Sequence, residues 1–149
     1  MANDLITKLV YARKKLIIGK LFYYILKLVG LEIPIAVEIG DGLEIAHGGF
    51  GIVIHPNSRI GNRVKIYPGV TLGRADIYRP AMESEFQGIQ IEDDVILSPG
   101  CKVLSKSGLL RVGRGTVIGA NAVVLDSTGD EEIWAGVPAK KIGSRKMQP

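Results

Sequence analysis

Aromatic residues are scarce in this sequence, at 6% of its 149 residues, and only one cysteine is present. A single cysteine excludes an internal disulfide and fits a reducing compartment. Acidic residues are almost absent from the first 31 positions, where Asp4 stands against six lysines and arginines. A basic segment suggests nucleic acid, but no aromatic-interleaved basic surface or binding motif follows it. We therefore expect no nucleic-acid partner.

The rest of the chain is dominated by a repeat of six residues. Its aliphatic positions are Ile33, Ile39, Ile45, Ile54, Ile60, Ile66, Leu72, Ile91, Leu97, Val103, Val112, Ile118 and Val124. A second series, nearly all small or β-branched, follows four residues later: Val37, Leu43, Ser58, Val64, Val70, Val95, Cys101, Thr116 and Ala122. Neither a helix nor a plain strand alternation has this period, so the pattern indicates a stacked solenoid. An ordinary β-rich domain would produce it only by chance.

Three breaks interrupt the repeat, over residues 45–54, 72–91 and 103–112. The first contains His47 among several glycines, which let the backbone turn tightly and approach a ligand. The second holds a polar stretch without any repeat, residues 73–88. Loops of this length between regular elements are usually functional or disordered. We expect this one to border a substrate pocket.

The repeat, with glycine often following the aliphatic residue, resembles that of the hexapeptide-repeat acyltransferases. The closing segment, residues 134–143, is similar to the terminal element of hexapeptide acetyltransferases. The resemblance implies an all-β fold, a left-handed parallel β-helix of triangular section with three hexapeptides per coil. We expect an N-terminal helical segment over residues 1–31, read as one helix from residue 3 to 29. The β-helix domain would follow over 32–143 and a C-terminal tail over 144–149.

Two histidines, His47 and His55, are candidates for a general base. Acetyl transfer to a hydroxyl needs one, because an alcohol is a poor nucleophile and imidazole titrates near neutral pH. His55 occupies a regular hexapeptide, where a structural or solvated role is expected, whereas His47 lies in the glycine-rich break. The stretch from Glu32 to His47 resembles the catalytic segment of serine acetyltransferases, which implies His47 as the base and Glu32 as its orienting partner. Such a carboxylate fixes the tautomer of the ring.

The same resemblance implies acetyl-coenzyme A as the cosubstrate and no metal. The positions that match the family's coenzyme A contacts are Gly73, Pro99, Ala120 and Lys140, with Lys140 near the phosphates. Pro99 stands where the family usually has a backbone N–H donor, which proline lacks. The family's cleft lies between subunits, so we expect a homotrimer with inter-subunit active sites. About thirty residues precede the repeat, too few for the family's large helical domain, which predicts a trimer and not a dimer of trimers.

The acceptor is where the sequence departs from the serine acetyltransferases. That family has a carboxylate directly before its catalytic histidine, where this chain has Ala46. It also has Arg-His-Pro in the long loop, where residues 86–89 here contain no histidine. A free amino acid needs charged partners, so these losses predict a sugar or glycan acceptor, as in polysaccharide, capsule or O-antigen synthesis. Asp76, Tyr78 and Arg79 are the expected acceptor contacts.

Three alternatives stay open. The first is serine O-acetyltransferase of cysteine biosynthesis, against which Ala46 and the missing loop histidine argue. The second is a β-helix carbonic anhydrase, whose zinc site needs three histidines where this chain has two. The third is a non-catalytic scaffold, which the intact His47, Glu32 and closing segment make less favourable.

Residues 8–29 combine lysines with an apolar run. Lys20 and Lys27 interrupt that run, which is too short for a bilayer span of about 20 residues. We expect the segment to pack on the first coil or on a neighbouring subunit. The alternative is peripheral contact with anionic lipid at the inner face of a membrane. No small-residue cleavage site follows, so a cytoplasmic location is expected.

Overall fold

The structure is a computed structural model and describes residues 5–15 and 17–146. In this part of the chain two helices, α1 (Leu5–Ala12) and α2 (Gly19–Leu28), precede a series of short strands. The strands are β1 (Glu38–Ile39), β2 (Glu44–Ile45), β3 (Val53–Ile54), β4 (Ser58–Ile60), β5 (Lys65–Ile66), β6 (Thr71–Arg74), β7 (Phe86–Ile91), β8 (Ile96–Leu97), β9 (Lys102–Ser105), β10 (Gly108–Val112), β11 (Val117–Ile118), β12 (Val123–Val124), β13 (Glu132–Gly136) and β14 (Ala139–Ser144).

The strands form three sheets that the chain visits in turn. Face 1 has the order β1-β4-β7-β10, face 2 the order β2-β5-β8-β11-β13-β14, and face 3 the order β3-β6-β9-β12. All pairings are parallel except the last, between β13 and β14. The predicted left-handed parallel β-helix with a short N-terminal helical segment is confirmed.

The six-residue repeat forms the core of the β-helix. Twelve of the thirteen aliphatic positions are buried, and only Ile39 is partly exposed. All nine positions of the second series are buried as well, including Cys101. Because two residues per hexapeptide point inward on each coil, stacked coils bury a continuous apolar column. The repeat therefore predicted most of the core of the β-helix.

The coils differ in length because the breaks in the repeat form loops that protrude at the corners of the β-helix. Val53 pairs with Thr71, so the coil between them holds three hexapeptides and no insertion. The coil from Glu44 to its partner Lys65 is longer, because it contains the first break. The coil from Lys65 to its partner Ile96 is longer still, because it contains the long loop. The first break emerges between faces 2 and 3, and the long loop emerges between faces 3 and 1, so the two occupy different corners.

The corner between faces 2 and 3 is a stack of left-handed residues. Gly51, Gly69 and Gly100 have φ of +72°, +75° and +71°, and Asn121 has φ of +55° in the next coil. Backbone bonds of 2.8 Å join successive turns, with the N–H of Gly69 donating to Phe50 and that of Gly100 donating to Pro68. Glycine suits these positions because a side chain is strained in the left-handed region.

The N-terminal segment is a helical hairpin, so the prediction of one helix from residue 3 to 29 is wrong in this respect. The physical reason is Arg13, whose guanidinium turns back into the protein instead of facing solvent. It donates to the carbonyl oxygens of Val10, Pro34 and Val37 at 2.5, 3.3 and 2.8 Å. These bonds end the first helix and fix the hairpin on the first coil.

At the C-terminal end of the β-helix, strands continue beyond Val124, the last position of the repeat. Strand β13 adds to face 2 beside β11, and β14 then returns antiparallel to it. Ile133 pairs with Val117, and their separation in sequence is not a multiple of six, so this strand lies out of phase with the hexapeptides. Among the described residues, no helix is long and apolar enough to cross a membrane.

Candidate active site

His47 lies on the turn between faces 2 and 3, directly after β2. Its backbone is left-handed, with φ of +50°, and so is that of Gly48, with φ of +74°. Non-glycine residues rarely adopt this conformation, and those that do cluster at functional sites. The turn leaves the imidazole exposed while its neighbours Ala46 and Gly49 are buried. The histidine is thus presented at the surface by a turn that is anchored on both sides.

The two glycines after His47 differ in their surroundings, which gives a matched pair of variants. A Cβ at Gly48 would meet nothing within 4 Å, whereas one at Gly49 would lie 2.5 Å from side-chain carbons of both Leu31 and Ile45. Both positions are left-handed, so Gly48→Ala should cost only about 1–2 kcal/mol of backbone strain. Gly49→Ala should cost roughly 1–3 kcal/mol more, because it overpacks the core. Urea unfolding measures both, and equal losses would contradict this description of the turn.

Tyr67, one coil below His47, is a neighbour that sequence reasoning missed. The two ring centroids are 5.9 Å apart and the planes are tilted by 45°. Lys65 lies 5.6 Å from the centre of the Tyr67 ring and pairs with Glu44 at 2.8 Å. Hydrogen bonding to Glu44 raises the pKa of the Lys65 ammonium. A tyrosine about one coil after the histidine was the available signal in the sequence.

Glu32 begins the coil that ends at His47. Its backbone forms an isolated parallel bridge with Val53, which extends face 3 by one row. The carboxylate pairs with Lys27 at 3.3 Å, and both side chains are partly exposed. Within the described residues, no hydrogen bond joins Glu32 to His47. The structure therefore places Glu32 and His47 at the N-terminal end of the β-helix. The ion-pair partner of Glu32 is Lys27, whereas the predicted partner was His47.

The four positions predicted for coenzyme A do not form one cluster. Pro99 and Ala120 lie on the corner between faces 2 and 3, in the stack that begins beside His47. Gly73 lies in β6, towards the opposite edge of face 3, and Lys140 is exposed on β14. The chain thus aligns His47, Pro99 and Ala120 along a single corner.

Two other basic residues near the C-terminus have partners within the chain. Lys141 pairs with Glu132 at 2.9 Å. Arg145 donates to the carbonyl oxygens of Asp94 and Gly115 at 3.1 and 3.3 Å. Lys140 has no ion-pair partner among the described residues.

The predicted acceptor contacts have different environments. Asp76 is buried, pairs with Arg74 at 2.9 Å and accepts a bond of 2.7 Å from the Ser84 hydroxyl. These bonds hold the pKa of the Asp76 carboxyl below its usual range. Asp76 therefore braces the long loop from within. Tyr78 and Arg79 are exposed, with the guanidinium 5.9 Å from the centre of the Tyr78 ring.

The loop that carries Tyr78 and Arg79 does not reach His47 in the same chain. The loop protrudes from the β-helix at the corner between faces 3 and 1, whereas His47 lies at the corner between faces 2 and 3. Among the described residues, no hydrogen bond, ion pair or ring contact joins His47 to the loop. Face 3 lies between the two corners. One chain thus supplies the two halves of the expected site at opposite edges of one face.

His55 and Cys101 are packed against other residues of the β-helix. The His55 ring lies edge-on to Phe86 at 4.7 Å, and its Nδ1 accepts the Asn57 N–H at 3.1 Å. Burial and the nearby Arg74 charge lower the pKa of His55. Burial raises the pKa of the Cys101 thiol to about 12. Over residues 5–15 and 17–146, no group of three or more His, Cys, Asp or Glu side chains is arranged to hold a metal ion.

Comparison with known proteins shows that this chain is similar to serine acetyltransferases. The chain is 36% identical over 133 residues to serine acetyltransferase of Bacillus licheniformis, covering 89% of this chain and 57% of that protein. It superposes on Brucella abortus serine acetyltransferase in complex with coenzyme A with a TM-score of 0.72 and 28% identity, covering 87% of this chain and 50% of that one. No protein-family model matches.

A third comparison concerns the acceptor. The chain superposes on Neisseria gonorrhoeae serine acetyltransferase in complex with serine with a TM-score of 0.69 and 28% identity, covering 88% of this chain and 49% of that one. The chain thus spans about half the length of the relatives that it matches. The similarity nevertheless extends over most of this chain, its β-helix included.

These comparisons overturn the sugar or glycan acceptor predicted from the sequence. The relatives are serine acetyltransferases, and nothing among them supports the polysaccharide branch. The prediction gave too much weight to single departures, namely Ala46 and the missing loop histidine. In the structure Ala46 is buried against the core. The similarity over most of the chain outweighs this one substitution.

Proposed function

We propose that this chain, a relative of the hexapeptide-repeat serine acetyltransferases, is an acetyl-coenzyme A-dependent serine O-acetyltransferase. The observation that carries the proposal is the sequence identity of 36% over 133 residues to such an enzyme. The exposed, left-handed His47 at the head of one corner supports it. Acetyl-coenzyme A is the donor because a solved relative is a complex with coenzyme A, and serine is the acceptor because another is a complex with serine.

His47 would act as the general base. It would take the proton of the serine hydroxyl as that oxygen attacks the carbonyl carbon of the thioester. Collapse of the tetrahedral intermediate breaks the carbon–sulfur bond, and the thiolate leaves with the proton that His47 carried. The products are O-acetylserine and free coenzyme A, and the histidine returns to its starting state. Backbone groups along the corner from Pro99 to Ala120 would lie against the cosubstrate.

Glu32 would orient the imidazole once it exchanges its present partner. Its pair with Lys27 joins two partly exposed side chains, and exposed pairs of this kind contribute little to stability. Substrate or a neighbouring subunit can therefore displace Lys27 at small cost. A carboxylate on one ring nitrogen leaves the other to accept the proton.

A homotrimer would complete the site. His47 and the long loop lie at opposite edges of face 3, so a neighbouring chain must bring its loop to the His47 corner. Arg79 is the candidate for the serine carboxylate because its guanidinium is exposed and has no carboxylate partner among the described residues. Arginine binds carboxylates in a two-bond fork. Asp76 is not a ligand in this proposal, because it is already engaged.

Release of free coenzyme A from acetyl-coenzyme A, followed with a thiol reagent, tests the function. We expect turnover with L-serine and none with serine that is blocked at its hydroxyl, with O-acetylserine identified by mass spectrometry. The enzyme adds little background, since its one cysteine is buried. Thiol release that is the same with and without serine, from a folded protein, would refute the proposal.

A further inference from the structure

An apolar stripe runs along α2 and the turn before it. It consists of Ile17, Leu21, Tyr24 and Leu28, whose exposed fractions are 92%, 59%, 62% and 86%. Within α2, the spacing of three and four residues places Leu21, Tyr24 and Leu28 on one side of the helix, and Ile17 precedes them in the turn. Such continuous exposure of large apolar side chains on one face marks an interaction surface.

The stripe is exposed although the helix itself is firmly attached. On the other side of α2, Leu26 is fully buried and belongs to the same apolar cluster as Val10. The Leu31 N–H donates to the Leu26 carbonyl oxygen at 2.9 Å. In α1, the Tyr11 hydroxyl donates to the Gly40 carbonyl at 2.7 Å and accepts from the Leu43 N–H at 2.9 Å. The hairpin therefore presents the stripe outwards from a fixed position on the first coil.

The charge around the stripe is of one sign. Residues 5–31 contain no aspartate or glutamate, and their five lysines are all exposed, namely Lys8, Lys14, Lys15, Lys20 and Lys27. Lys27 pairs with Glu32, whereas the other four form no ion pair with any described residue. At 100° per residue, Lys20 and Lys27 both lie along one edge of the stripe, on the side of Tyr24. The surface is thus an apolar strip with cationic side chains along one edge.

We propose that this surface binds the face of an anionic lipid bilayer. A helix with an apolar stripe and a lysine border lies in the interface, its apolar side chains among the acyl chains and its lysines against the phosphates. Lysine stems extend to the headgroups, and a tyrosine suits the boundary because its ring is apolar and its hydroxyl polar. A second copy of the stripe would fit less well, because two surfaces of the same charge would face each other. The contact is peripheral, since the helix is too short to span.

Co-sedimentation of the full chain with lipid vesicles tests the proposal. We expect binding to vesicles of phosphatidylglycerol mixed with phosphatidylcholine, little binding to phosphatidylcholine alone, and a decrease at high salt. Leu21→Gln combined with Leu28→Gln should weaken binding roughly tenfold or more. Lys20→Gln should weaken it about fivefold. The matched control is Leu109→Gln with Leu125→Gln, which replaces two exposed leucines elsewhere and should bind as the original does.

The same variants distinguish a lipid surface from a second chain. Light scattering of the original protein and the Leu21, Leu28 variant should give the same oligomeric state. A lower oligomeric state in the variant, or no binding of the original chain to anionic vesicles, would overturn the proposal. So would equal loss of binding in the control variant. Turnover with serine, measured in parallel without vesicles, should be unchanged by the Leu21 and Leu28 substitutions, which separates this proposal from that of the enzyme.

Discussion

His47→Ala is expected to lower the rate of acetyl transfer to serine by about 10²–10⁴-fold, the range that a general base contributes. The imidazole is exposed at the end of β2, so its removal creates no cavity in the core. The loss should fall on kcat, because the base acts on the reacting hydroxyl and not on the bulk of either substrate. The measurement is steady-state turnover with varied serine and varied acetyl-coenzyme A.

The chain offers a matched control for this experiment in its other histidine. His55→Ala removes a ring that packs on Phe86 and takes no part in the proposed reaction. It should keep the turnover of the original within a few-fold, although it loses some stability. Circular dichroism and light scattering would show that both variants keep the fold and the assembly. A folded His47→Ala enzyme that retains full turnover would exclude His47 as the base.

Arg13→Ala is expected to destabilise the protein by roughly 2–4 kcal/mol, the largest stability effect predicted for a single charged side chain here. The guanidinium is only 1% exposed, and it satisfies three carbonyl oxygens, those of Val10, Pro34 and Val37. Removal leaves acceptors without donors and opens a cavity between the hairpin and the first coil. Desolvation lowers the pKa of Arg13 to about 10, so the group remains charged at neutral pH.

The burial of that charge reduces the net loss, because an unpaired buried cation is itself costly. Arg13→Met tests this point, since methionine restores part of the volume without the charge or the donors. The free energy of unfolding of Arg13→Met, measured with urea, should lie between those of the original protein and Arg13→Ala. Lys14→Ala, at an exposed neighbouring position, should change the free energy of unfolding by less than about 0.5 kcal/mol. An Arg13→Ala loss as small as that of Lys14→Ala would contradict the role assigned to the guanidinium.

The difference between prediction and structure is clearest in the N-terminal segment. The sequence analysis grouped Arg13 with the neighbouring lysines in a basic segment. It also predicted one helix over residues 3–29. The structure instead buries Arg13 and divides the segment into α1 and α2. A guanidinium is buried only where enough oxygen atoms converge on it. Two of its three acceptors, on Pro34 and Val37, come from the first coil, which local sequence does not reveal.

The long loop shows the same limit. The sequence analysis predicted Asp76, Tyr78 and Arg79 as acceptor contacts and gave no reason to prefer one of them. In the structure Asp76 is held by Arg74 and Ser84 inside the loop, whereas Arg79 is exposed. Which of two nearby charged residues faces solvent depends on how the loop folds back on itself. The predicted acceptor is wrong because it depended on single departures such as Ala46, which the similarity to serine acetyltransferases over most of the chain outweighs.

The sequence by itself determined the solenoid, because a period of six residues buries both of its inward series when successive coils stack. The resemblance to hexapeptide-repeat acyltransferases added the three hexapeptides per coil. The sequence also determined where the coils are interrupted, since each break in the period is a break in the barrel. Only the tertiary structure decided which corner each break occupies, because the register between coils assigns every residue to a face. That register sets His47 in line with Pro99 and Ala120 and separates it from the long loop by face 3. The packing of the helical hairpin on the first coil turns Arg13 inward. These relations depend on residues that are distant in sequence and adjacent across coils, which periodicity alone does not specify.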